Sequence, residues 1–151
     1  MTATAHRLKR DAMLVPLAGA AYHEAGHAVV ALALGLKVAR VEIFPDDYSG
    51  ATDAHDANRL PIEDQIAICL GGINAVNMFG ARLHELANFQ DHVRVWDLVS
   101  DLDEAEGDGL RDRGHQRAWR LLKAHASDLE DITALLLADH KIDLTGYVLK
   151  R

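Results

Sequence analysis

The sequence predicts one mostly helical α+β domain, and three features carry that expectation. An alanine- and leucine-rich stretch runs between Pro16 and Gly35, the segment 38–44 alternates with period two, and 61–80, 89–105 and 110–139 read as helices. The chain has 151 residues, 49% apolar and 26% charged, the mass and balance of one compact core. No repeat, low-complexity tract or linker divides it, so 1–151 is read as a single domain, with 1–14 a loosely ordered N-terminal segment.

Taken in order, Pro16 can open the first helix and Gly35 can close it, around a run of strong helix formers. The strand at 38–44 puts Val38, Arg40, Glu42 and Phe44 on one face and Ala39, Val41 and Ile43 on the other. Residues 45–60, rich in Asp, Asn, Gly and Ser, read as a loop that has room for a second short strand around Gly50-Ala51-Thr52. Pro61 starts the next helix, with Glu63 and Asp64 in the first turn where the helix dipole favours them. Gly71-Gly72 in its middle is costly for a helix, which points to close packing against a neighbour. A third helix runs from about 89 to 105, ended by Gly107 and Gly109, and the remainder forms a C-terminal helical bundle in which Ser127 to Glu130 can act as a capping box.

Charge and cysteine content exclude several classes of function. A net charge of −7 without a basic stripe repels phosphate backbones, so nucleic acid is not an expected partner. The most apolar stretch, Met13 to Leu36, is interrupted by His23, Glu24 and His27, so no membrane span is expected. Cys69 is the single cysteine, which allows no intramolecular disulfide and fits a cytoplasmic protein. It reads as a small core residue, not a nucleophile.

The chemistry lies in His23-Glu24-Ala25-Gly26-His27. On a helix, residues four apart share a face, so His23 and His27 can offer two imidazole nitrogens to one zinc ion per chain. Glu24 then stands beside the ion without ligating it, where a carboxylate can take a proton from a water activated by the metal. From Leu17 to Leu36 the only polar side chains are Tyr22, His23, Glu24 and His27. The helix is therefore expected to be buried, and a buried carboxylate beside two imidazoles costs several kcal/mol unless a cation compensates it. The bland alternative is a pair of satisfied core histidines. A catalytic zinc needs a third protein ligand. At 100° per residue, Asp91 begins the stripe carrying Val95, Leu98 and Leu102, while His92 points at the arc of Trp96 and Val99; helix geometry leaves both open.

At these residues the chain resembles the peptidase domain of FtsH-type ATP-dependent zinc metalloproteases. Tyr22-His23-Glu24-Ala25-Gly26-His27-Ala28-Val29 is similar to that family's zincin-like helix, Val41 to Pro45 to its following strand, and Gly71-Gly72 to its double-glycine helix. The resemblance implies that the aspartate of Ala87-Asn88-Phe89-Gln90-Asp91 is the third ligand, which selects Asp91 over His92. Two places depart from the family pattern. Ala75-Val76-Asn77 stands where an Ala-Glu pair is usual, and Val95-Trp96 replaces an Ala-Thr pair. No Walker-type glycine-lysine loop occurs, so ATP hydrolysis by that family's route is not expected.

The resulting expectation is a zinc endopeptidase acting on peptides or unfolded chains, with Glu24 as general base and His23, His27 and Asp91 holding the metal. The strand at 38–44 would pair with extended substrate through Val41 and Ile43 on an exposed edge. Homo-oligomerisation and a separate ATPase chain are the further partners the resemblance implies. The rival expectation is a zinc-binding regulatory or interaction domain that has lost turnover.

Overall fold

The computed structural model describes residues 3–84 and 86–150, and side chains from Pro16 onward. Five helices and a small sheet follow the order α1 (Ala3–Ala33), β1 (Val38–Phe44), β2 (Ser49–Ala54), α2 (Ile62–Met78), α3 (Phe89–Val99), α4 (Glu104–Ala124), α5 (Ala126–Asp139) and β3 (Lys141–Ile142). The predominantly helical α+β class is as the sequence predicts.

Helix α1 is the centre of the molecule. Ala21, Ala25, Ala28, Val29, Val30 and Ala31 have no exposed surface, because α2, α5 and the sheet all pack against this helix. Its end at Gly35 is a Schellman turn: Leu36 N–H donates to Ala31 O at 3.0 Å and Gly35 N–H to Leu32 O at 3.0 Å, with Gly35 at φ 86°. Its start differs from the sequence expectation. Pro16 lies inside the helix, which begins at Ala3, since Ala3 to Leu14 is itself rich in helix formers and a proline removes one bond without obliging the helix to begin there.

The hairpin β1–β2 is closed by Pro45 to Tyr48, and the sheet order is β2-β1-β3, antiparallel throughout. Val41 faces Thr52 on one side and Ile142 on the other, so β1 is the middle strand. The role of exposed edge therefore passes from β1 to β2. Val41 and Ile43, expected to meet substrate, are core residues at 0% and 2% exposure, and Ile43 N–H already donates to His140 O. Their hydrophobicity reflects burial against α1. A bulge between Val38 and Arg40 also turns Val38 inward, off the face that strict alternation assigns it.

Helices α1 and α2 cross in contact at two glycines. A Cβ on Gly26 would lie 2.3 Å from Gly71 O, and one on Gly71 would lie 2.8 Å from Gly26 O. Helix α3 is shorter than expected and ends at Val99. Gly107 and Gly109 do not terminate it but belong to α4, whose start is set by Asp103 accepting from Glu106 N–H at 2.8 Å. The break before α5 falls at His125, just ahead of the Ser127 capping box that the sequence offers. Helix α4 lies along α2 and α5 along α1, so the C-terminal helices complete a bundle with the first two. A second apolar cluster, Ile66, Leu70, Val95 and Val99, fastens α3 to α2 and fixes where the first turn of α3 sits.

Candidate metal centre

His23 and His27 stand one turn apart on α1, and Asp91 reaches them from the first turn of α3. Nε2 of His23 and Nε2 of His27 are 3.0 Å apart, and Asp91 Oδ2 lies 2.9 Å from the first and 3.1 Å from the second. The three atoms form a nearly equilateral triangle. Both histidines are buried, at 4% and 8% exposure, and the Asp91 side chain is 15% exposed. Among the described residues this is a group that could hold a metal ion. His92, the competitor on helix geometry, is exposed and meets Asn88, with 2.7 Å between Nε2 and Nδ2.

The donor set fits a cation. Nδ1 of His27 is 2.7 Å from Ile68 O, and a carbonyl can only accept, so Nδ1 carries the proton. In the neutral ring Nε2 is then a bare lone pair, aimed at a carboxylate oxygen and a second imidazole. Such a cluster holds together only around positive charge. Burial alone would lower the basicity of His27, but the Asp91 carboxylate, supported by Glu24, outweighs it and lifts the imidazole to about 9. Burial likewise opposes charge on Asp91, and hydrogen bonds from His23 and from the protonated form of His27 hold its carboxyl well below the usual range. A divalent ion would supply the same compensation with more charge.

Gly72 provides the space. A Cβ there would lie 2.7 Å from His23 Cε1, 2.7 Å from His27 Nε2 and 2.8 Å from His23 Nδ1. The two glycines thus have separate tasks: Gly71 admits α1, and Gly72 admits the imidazoles. The Ile68 carbonyl, from the same helix, orients His27 as an outer partner orients a metal-binding histidine. His23 lacks an equivalent, since its Nδ1 is buried without a hydrogen-bond partner among the described residues.

Glu24 is 6% exposed and ligates nothing in this group. Thr52 Oγ1 donates to its Oε2 at 2.6 Å, and Gly50 leaves room for its methylenes. Both residues lie on β2. The short second strand that the sequence allows around Gly50-Ala51-Thr52 is β2, but the contact of these residues with Glu24 depends on the hairpin folding back over α1.

A cleft of about 850 Å³ opens over these groups. Every residue of β2 lines one side of it, and Leu83, Leu86, Gln90 and Arg94 contribute to its boundary. Among the described residues the strand has a neighbour only on its β1 side, and its other edge is unpaired. Cys69 also lines the cleft, but burial and then the Asp91 charge push its thiol up to about 11, which leaves it protonated at neutral pH. His84 precedes Leu86 in the loop and accepts from Leu86 N–H at 3.3 Å. No helix among the described residues is long and apolar enough to cross a membrane.

No protein-family model matches the chain, and comparison with curated proteins finds no match.

Proposed function

We propose that the protein is a zinc-dependent endopeptidase with the chemistry of the FtsH-type peptidase domain, cutting peptides or unfolded chains in the cytoplasm. The observation that carries this reading is the meeting of His23, His27 and Asp91 within 3.1 Å of one another. Glu24 lies beside them, under a cleft bordered by an unpaired strand.

His23, His27 and Asp91 would hold the ion, a set of three that suits a catalytic site better than a structural one. Zinc bound there would supply Lewis acidity for the scissile carbonyl and for the attacking water. Glu24 takes the proton from that water and returns it to the departing amine. An extended peptide adds to the free edge of β2 through main-chain hydrogen bonds, which gives affinity with little side-chain selectivity. Access is limited to segments that can become extended, so a folded substrate needs unfolding by another protein, such as a separate ATPase.

The test is to purify the full chain without chelator, measure metal by elemental analysis and follow cleavage of casein. One zinc per chain, with cleavage lost on chelation and restored by zinc, supports the reading. Bound zinc without cleavage of varied unfolded substrates would replace it with the regulatory alternative, and failure to bind zinc would remove both.

A further inference from the structure

Among the described residues, the Glu24 carboxylate takes its hydrogen bond from β2. Thr52 Oγ1 donates to Oε2 at 2.6 Å and lies 3.1 Å from Glu24's own main-chain oxygen, so one hydroxyl ties the carboxylate end back over its own backbone. On the stem, the Gly50 main chain lies so close that a Cβ would stand 2.5 Å from Glu24 Cγ and 2.9 Å from Cδ. The other carboxylate oxygen takes no hydrogen bond from any described residue, and the side chain lines the cleft.

We infer that Thr52 is a positioning residue for proton transfer, fixing Glu24 with Oε2 occupied and the other oxygen left for water. This rests on the peptidase reading above. A glutamate has three rotatable side-chain bonds, and a proton acceptor must lie within hydrogen-bond reach of the proton it takes. The Gly50 contact restricts the stem and the Thr52 hydroxyl fixes the end. When the water's O–H bond breaks, the proton goes to the free oxygen, and the Thr52 bond to Oε2 persists throughout. Because both residues belong to the strand whose far edge is open to substrate, the same element would align the peptide and the base.

A hydroxyl that merely satisfies a buried carboxylate would affect folding, not turnover. The experiment therefore compares wild type, Thr52→Val and Thr52→Ser, each as the full chain at equal zinc content and with matching circular dichroism. With casein as substrate, Thr52→Val is expected to lower kcat by about 10- to 100-fold with KM within about twofold. Thr52→Ser, which keeps the donor, is expected to recover most of the rate. An unchanged kcat in Thr52→Val, or no recovery in Thr52→Ser, overturns the inference.

A second readout needs no turnover: acetohydroxamate binding to the zinc-loaded proteins, where a positioned carboxylate accepts a bond from the bound hydroxamate. Thr52→Val should weaken binding as Glu24→Gln does, and the double variant should be no weaker than Glu24→Gln alone. Additive losses would overturn the inference. If wild type binds acetohydroxamate and cleaves nothing, the peptidase reading fails, while this cycle still decides whether Thr52 acts through Glu24.

Discussion

The main chain of Gly72 lies directly against the imidazole of His23, so close that a Cβ at residue 72 would come within 2.7 Å of His23 Cε1. The same atom would stand 2.7 Å from His27 Nε2, so one methyl group would collide with both rings. Gly72→Ala is therefore expected to weaken zinc binding by about 10- to 100-fold, the range for disturbing the groups that orient metal ligands. A competitive chelator titration reads the effect, and affinity equal to wild type would remove Gly72 from the site.

Gly26→Ala should act on stability instead. Its Cβ would meet the Gly71 carbonyl at 2.3 Å, and two helix backbones cannot yield as a flexible side chain can. A loss of about 3 kcal/mol or more is expected, at the upper end for overpacking, although alanine is the better helix former. Denaturant unfolding checks this, and a stability equal to wild type would mean that the helices do not cross here.

Asp91→Ala and His92→Ala separate two neighbours that helix geometry alone leaves open. Asp91 is within 3.1 Å of both histidines, whereas His92 faces away and meets Asn88. Asp91→Ala is expected to lose most of its zinc on dialysis and His92→Ala to keep it, as measured by elemental analysis. The reverse pattern would exchange their roles.

Much of the site was legible because its parts are local. His23, Glu24 and His27 declare themselves by spacing and by the absence of other polar work on α1, and Asp91 by its place in a resembling motif. The contacts of Thr52 and Gly50 with Glu24 were not legible, since a possible short strand around Gly50-Ala51-Thr52 does not reveal a contact with a residue 28 positions before Thr52. The assignment of β1 as an edge failed for a related reason. Alternation shows that one face is buried but not how many strands flank it, and the two-residue β3 that covers β1 is too short to leave a pattern. The early end of α3 was written in Asp103-Glu104-Ala105-Glu106, an N-terminal capping signal that outweighed the two glycines taken as a stop.

At the C-terminal end, Tyr147 OH donates to the buried carboxylate of Asp128 at 2.8 Å. Burial, then this hydrogen bond and the charges of Asp128 and Asp131, push the phenol up to about 12. The folded value lies above the unfolded one near 10, so the stability conferred is fully present below pH 10 and is lost as pH rises through 12. Thermal midpoints across that window should fall more steeply for wild type than for Tyr147→Phe, and parallel curves would show that the bond contributes nothing.

The central claim is that Glu24 moves the proton in a metal-dependent hydrolysis. Its most direct measurement is the rate of casein cleavage by wild type and Glu24→Gln, both loaded to one zinc per chain. Glu24→Gln keeps the shape and the Thr52 contact but cannot accept the proton, so a loss of about 100-fold or more with zinc retained is expected. Equal rates for the two proteins would contradict the account.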